Sequence, residues 1–185
     1  YTRIDYANWI LPNTFFSPIV SKENKKSDFI IGWTGNPDRG FKGYYDVILP
    51  AVKLAQSKRK DIKLKARFSG RMSTLHKFYE NIDVVLIASI ADAGPSMFFE
   101  AGLRGVPAIS NFSGKPKEVI VNNKNGIFVE RNIEAYSDAI IKLYDNRDLL
   151  CKLSKNIRKD TIEYFNKMDM VNRWDRIFSN VVGSK

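Results

Sequence analysis

The sequence predicts an α/β domain, a parallel sheet with helices on its faces, and three observations carry that expectation. Stretches with strand character alternate with stretches of helical period along most of the 185 residues, and strands joined through helices pair in parallel by right-handed crossovers. The run Phe29-Ile30-Ile31-Gly32-Trp33-Thr34 is nearly all apolar, with no alternation, as in strands covered on both faces. The loops at 35–38, 70–72 and 92–96 all fall beyond the carboxyl ends of predicted strands, where open α/β sheets bind ligands.

Composition bounds the rest. A content of 44% hydrophobic and 12% aromatic residues fits one packed core. Thirty basic against 20 acidic residues leave +10, which favours anionic partners. No apolar run approaches the roughly 20 residues that cross a bilayer, and no signal segment opens the chain, so a soluble cytoplasmic protein is expected. The chain starts at Tyr1 rather than Met and is expected to be part of a longer protein. The lone Cys151 excludes an intrachain disulfide, and its neighbours Leu149, Leu150 and Leu153 predict a buried, inert thiol.

Residues 1–28 lack a clean period and read as an interdomain connecting segment. After the first strand come the turn Gly35-Asn36-Pro37-Asp38 and a helix over 43–55, which Pro50 kinks or divides. Ile62, Leu64, Ala66 and Phe68 alternate with Lys63, Lys65 and Arg67, which predicts a strand near a sheet edge, its lysines discouraging strand addition. A short helix over 73–81, a strand over 83–88, a helix over 95–103 and a strand over 106–110 follow. A helical turn over 116–121 and a strand over 126–129 complete the alternation. Helical stretches then run to the end, the last carrying Val171, Trp174, Phe178 and Val181 on one stripe. The expected division is therefore 1–28 connector, 29–165 Rossmann-like domain and 166–185 C-terminal helix.

The segment Ile90-Ala91-Asp92-Ala93-Gly94-Pro95-Ser96-Met97-Phe98-Phe99-Glu100 holds the most chemistry. Pro95 suits a first helical position, and the amides of Ser96 and Met97 would be among the unpaired donors of that turn, which attract anions. Glu100 stands about 7.5 Å along the helix axis, roughly a ribose-to-diphosphate span. A carboxylate that accepts two vicinal hydroxyls is suited to a ribose. The single histidine, His76, reads as a half-exposed helix residue. One His and one Cys make no zinc cluster, and no nucleophile motif supports a Ser-His-Asp triad.

Asp92, seven residues and Glu100, with Gly105 and Pro107 behind, together with Gly70-Arg71-Met72, Gly114, Glu118 and Asn125-Gly126, resembles the C-terminal, donor-binding half of family 4 glycosyltransferases. These have the GT-B fold. Gly32-Trp33-Thr34-Gly35-Asn36-Pro37 with Lys42-Gly43 is similar to a bacterial branch acting on surface polysaccharides. The resemblance implies one half of a GT-B enzyme, with an upstream Rossmann-like domain supplying the acceptor site and the C-terminal helix crossing to it. It implies a retaining, metal-independent transfer from a UDP-, GDP- or dTDP-sugar to a glycan or lipid-linked acceptor, with no cofactor. By residue, Glu100 would bind the ribose and Asp92 the sugar hydroxyls, while Gly35, Asn36, Gly94, Ser96 and Met97 would line the diphosphate and sugar. Lys42, with Arg39 as a second candidate, would neutralise the diphosphate, and the backbone near Arg71 and Met72 would meet the base.

Two positions depart from the pattern: Asp92 where the family usually has Glu, and Asn36 where an Arg commonly follows the glycine. They keep open a module that binds nucleotide sugar without transfer. A glycoside hydrolase using Asp92 and Glu100 is a further enzymatic rival. Nucleic acid is not expected, because no aromatic stacking motif accompanies the basic strip from Lys58 to Arg71. Contact with an anionic membrane at its inner face stays open.

Overall fold

The structure is a computed structural model, and it describes residue 15 and residues 28–92, 94–165 and 167–182. Phe29, Ile31 and Trp33 are buried along β1 (Phe29–Thr34), as its unbroken apolar run requires of a strand with helices on both faces. β2 (Ile62–Arg67) buries Ile62 and leaves Lys63 and Lys65 in water. β3 (Val84–Ile87) is buried throughout, and β4 (Ala108–Ser110) and β5 (Ile127–Phe128) are short. The five strands form one parallel sheet in the order β2-β1-β3-β4-β5, with β2 at an edge as its lysines predict.

That order fixes where a ligand can sit. The chain passes from β1 to β2 in one direction across the sheet and from β3 to β4 in the other. Right-handed crossovers therefore put the helices that follow β1 and β3 on opposite faces. The reversal lies between β1 and β3, and a crevice opens there beyond their carboxyl ends. α1 (Leu49–Lys58) packs against α5 (Ile133–Asp145), and α3 (Ser96–Leu103) against α6 (Arg147–Tyr164). Short helices α2 (Leu75–Phe78) and α4 (Pro116–Val119) fill the connections, and α7 (Lys167–Val182) ends the described chain. Asn132 and Asn146 cap α5 and α6 through side-chain oxygens that accept from Ala135 and Leu149 amides at 2.7 and 2.8 Å, each cap worth about 1 kcal/mol.

The helix predicted over 43–55 is divided. A π-helical turn, Tyr44–Ile48, precedes α1. Pro50 has no N–H to donate to the Asp46 carbonyl, and the chain widens just before it, with Ile48 donating to Gly43 and Leu49 to Tyr44. The helix predicted from Pro95 starts at Ser96, with Pro95 as its cap.

The burial expected of Cys151 is overturned: the thiol is exposed. α6 buries Leu153, Ile157 and Thr161, four residues apart, whereas Leu149 and Leu150 are only half-buried and Cys151 lies off that stripe. On α7, Trp174 and Phe178 stack at 5.5 Å, with Val171, Phe178 and Val181 exposed. The connecting segment expected over 1–28 lies almost wholly outside the described residues. None of the described helices is long and apolar enough to cross a membrane.

Candidate functional site

A cleft of about 230 Å³ opens at the reversal point. Thr34 and Gly35 at the end of β1, and Ile87, Ala88 and Ser89 at the end of β3, form its floor. Arg67 at the end of β2 and the loop after it (Phe68, Ser69, Gly70) give one wall with Met72 and Leu75, and the start of α3 gives the other with Pro95, Ser96, Met97 and Glu100. The Thr34 amide donates to Met97 Sδ at 3.1 Å, which ties the floor to the α3 wall. The exposed ring of Phe68 and thioether of Met72 make the β2 side apolar, while the α3 side is polar.

Glu100 is the buried acid of the site. It is only 1% exposed, yet its carboxylate reaches the cleft. The hydroxyl of Tyr79, itself fully buried, donates to Glu100 Oε2 at 2.7 Å and lies 3.4 Å from Thr34 Oγ1. The side chain of Ser96, one turn earlier on α3, also bonds Glu100. Desolvation raises the Glu100 carboxyl above its ordinary value, and the bonds from Tyr79 and Ser96 and the charge of Arg67 oppose that shift. Tyr79 is pushed well above the usual phenol range by burial and by the nearby Glu100 charge, so it remains a neutral donor. Tyr79 and Ser96 thus hold the carboxylate from within the protein, on a residue that lines the cleft.

Asp92 and Lys42 form the second polar cluster. Lys42 Nζ and Asp92 Oδ2 are 3.2 Å apart, with side chains 22% and 16% exposed, and Lys42 lines the cleft. Asp92 Oδ1 accepts from the Gly94 amide at 3.2 Å. The fold holds both loops closely. The Ile90 amide donates to the Phe41 carbonyl at 2.8 Å, Arg131 Nε to the Ala88 carbonyl at 2.8 Å and Asn111 Nδ2 to the Ser89 carbonyl at 2.9 Å. Two glycines are required by this packing. Gly43 has φ 69°, and a Cβ there would stand 2.7 Å from the Ala88 oxygen; Gly114 has φ 59°, and its Cβ would stand 1.9 Å from the Asp92 oxygen.

Of the residues singled out from sequence, Gly35, Lys42, Met72, Ser96, Met97 and Glu100 line the cleft. Asp92 reaches it through Lys42, and Gly94 serves Asp92 through its amide. Asn36, Arg39 and Arg71 stand outside the lining: Asn36 Oδ1 accepts from the Asp38 amide at 2.9 Å, the Arg39 amide donates to the Asn36 carbonyl, and the Arg71 carbonyl accepts from Arg67 Nη2 at 2.8 Å. His76 is half-buried, with its ring 6.3 Å from Phe15. Sequence reasoning missed Tyr79 as the partner of Glu100 and Arg67 as a cation of the site. Arg67 was visible only as part of a basic edge. Among the described residues, no three of His, Cys, Asp and Glu come together as a metal site.

Comparison with known proteins agrees with the fold. The family model described as glycosyl transferases group 1 matches residues 51–160, from α1 through most of α6. No curated protein matches. A point mutant of TarM from S. aureus, solved in complex with Fondaparinux, alpha-GlcNAc-glycerol and UDP, is 20% identical with a TM-score of 0.74, over 88% of this chain and 38% of its own. The C-terminal domain of the group 1 glycosyl transferase LpcC from Francisella tularensis is 19% identical with a TM-score of 0.64, over 84% of this chain and 98% of that domain. Sucrose-phosphate synthase from Thermosynechococcus elongatus gives 16% identity and a TM-score of 0.77, over 94% of this chain and 52% of its own. The chain thus spans well under half of TarM and about half of the synthase, and shares with them the Rossmann-like half of the GT-B fold. The matched residues cover more than half of the chain and include Asp92 and all of α3 with Glu100, so the chain belongs to the glycosyl transferases group 1 family.

Proposed function

We propose that this chain is the nucleotide-sugar-binding half of a retaining, metal-independent glycosyltransferase of family 4. The observation that carries the reading is Glu100, an acid almost wholly removed from water on a residue that lines the cleft at the sheet's reversal point. Burying a charged group costs stability unless it is paired, and ligand hydroxyls would add to the bonds from Tyr79 and Ser96. The ribose hydroxyls of a nucleoside diphosphate would meet Glu100, the base the apolar wall at Phe68 and Met72 near Arg71, and the diphosphate the start of α3 beside Lys42. Arg39 would be a second cation, with the donor sugar extending toward the Asp92 loop.

In the transfer step the bond between the anomeric carbon and the phosphate oxygen breaks, and its electron pair leaves on the nucleoside diphosphate. The acceptor hydroxyl oxygen forms the new bond at the same carbon with retention, and its proton passes to the departing phosphate oxygen. Lys42, fixed where negative charge gathers, lowers the barrier through its charge. The acceptor site would come from an upstream Rossmann-like domain that α7 reaches through Trp174 and Phe178. A glycan or lipid-linked acceptor of cell-surface polysaccharide synthesis fits the resemblance, and the net charge of +10 suits a cytoplasmic enzyme working at an anionic membrane. UDP in the TarM structure supports a uridine nucleotide as the first donor to test.

Calorimetry with UDP, GDP and dTDP tests the reading directly. Dissociation constants in the micromolar range for at least one nucleotide, weakened in Glu100→Ala, are expected. No binding by any of the three would overturn it. A second reading, binding without transfer, draws on the Lys42–Asp92 pair, which neutralises the cation that transfer needs. Transfer assays on the full-length protein separate the two readings.

A further inference from the structure

We infer that Asp92 serves as a positioning residue for Lys42 and not as a ligand of the donor sugar; the inference rests on the donor-binding reading. Each oxygen of its carboxylate already has one partner within the protein, and Asp92 stands outside the residues that line the cleft. Oδ1 accepts from the Gly94 amide at 3.2 Å and Oδ2 from Lys42 Nζ at 3.2 Å. Aspartate is one methylene shorter than glutamate, and its head is held down by the amide two residues on. The carboxylate is therefore tied to the loop backbone and turned toward Lys42. The backbone behind it is equally fixed, since Gly114 packs on the Asp92 carbonyl with no room for a Cβ.

Lys42 needs such a tether. A lysine ammonium sits on a flexible four-carbon stem, and fixing it costs rotamer entropy whenever a ligand is bound. Lys42 follows Phe41, whose carbonyl accepts from Ile90, and precedes Gly43, which packs on Ala88. Its backbone is thus anchored to the Asp92 loop at two points, and the ion pair anchors the head. The ammonium has three donors, so one bond to Asp92 leaves two for phosphate oxygens. The pair holds the charge at the cleft before a diphosphate arrives, and donor choice is left to groups other than the Asp92 carboxylate.

The test is a double-mutant cycle on Lys42→Ala and Asp92→Asn, read by calorimetry with UDP, UDP-glucose, UDP-galactose and uridine. Asn keeps the acceptor for the Gly94 amide and removes the charge. Asp92→Asn is expected to weaken UDP and both UDP-sugars equally, by about three- to tenfold, to leave uridine unchanged, and to have no further effect once Lys42 is Ala. Unchanged UDP affinity with an altered ratio between the two UDP-sugars would instead make Asp92 a sugar ligand, and tighter UDP binding would make the pair a barrier; either overturns the inference. A wild-type protein that binds no nucleotide overturns the donor-binding reading itself. Thermal unfolding checks each variant, and Asp92→Glu gives a second charge-retaining probe: sharper discrimination between the sugars in Asp92→Glu alone, with UDP affinity lowered, agrees with the inference.

Discussion

Asp92 and Glu100 lie eight residues apart and face one cleft, yet different forces govern them. Glu100 sits on α3 and is only 1% exposed, so desolvation dominates its proton affinity, and the side chains of Tyr79 and Ser96 orient it. Asp92 sits on a loop with its side chain 16% exposed, and its neighbours define it: an amide on one oxygen and an ammonium on the other. A rigid helix can carry a buried charge because the core around it is packed. A loop cannot bury a charge that way, and it secures geometry by pairing and by backbone contacts instead. The helix acid should therefore respond to changes in burial, and the loop acid to changes in backbone.

The largest effect should come from the loop's backbone. Gly114→Ala would place a Cβ 1.9 Å from the Asp92 carbonyl oxygen at φ 59°, so the loop must move, at a cost of about 3 kcal/mol or more. Denaturant unfolding should show that loss, and nucleotide affinity should fall with it. Wild-type stability in Gly114→Ala would show that the loop is not held as described. Next in size is Glu100→Ala, which should weaken UDP, or whichever nucleotide binds, by about 1.5–3 kcal/mol, some tenfold to hundredfold, with the fold intact. Unchanged affinity by calorimetry would remove the helix acid from the binding site.

Tyr79→Phe acts on the same acid through its partner. The buried hydroxyl is lost, with a stability cost of about 1 kcal/mol. That bond favours the carboxylate over the acid, so without it Glu100 holds its proton to higher pH. If nucleotide binding needs the ionised form, its acid limb should move to higher pH in Tyr79→Phe. A pH profile identical to wild type would mean that the phenol does not steer the carboxylate.

Much of this was legible in the sequence, because the signals were local. The β1 run, the alternation in β2 and the Asp92-to-Glu100 spacing each lie within a dozen residues, where period and residue type report burial directly. What was hidden depends on contacts between distant segments. Tyr79 meets Glu100 across 21 residues, and nothing in its own helix marks it for that role. Arg67 read as one more cation on an edge strand, and only its pairing with Thr34 at the carboxyl end of β1 brings it to the cleft. Asn36, Arg39 and Arg71 were selected by pattern, and the structure leaves their side chains outside the lining. Cys151 failed for a different reason: Leu149, Leu150 and Leu153 suggested a buried face around it, whereas of these three only Leu153 is on the buried stripe of α6, with Ile157 and Thr161.

The mildest change separates charge from shape at the helix acid. Glu100→Gln keeps the size and an oxygen that can accept from Tyr79, but it cannot ionise. In the wild type, burial raises the native carboxyl above its ordinary value of 4.5, so the native state holds a proton that the unfolded chain has begun to release. Stability therefore falls as pH rises from about that ordinary value, and the fall ends once the native carboxyl has ionised too. The glutamine variant has no such window. The two proteins should be similarly stable at lower pH, and the variant should become the more stable one as pH rises through it, although it binds nucleotide less well. Unfolding curves that stay parallel across the range would mean that Glu100 is not strained by its burial, and the contrast with Asp92 would then be one of position alone.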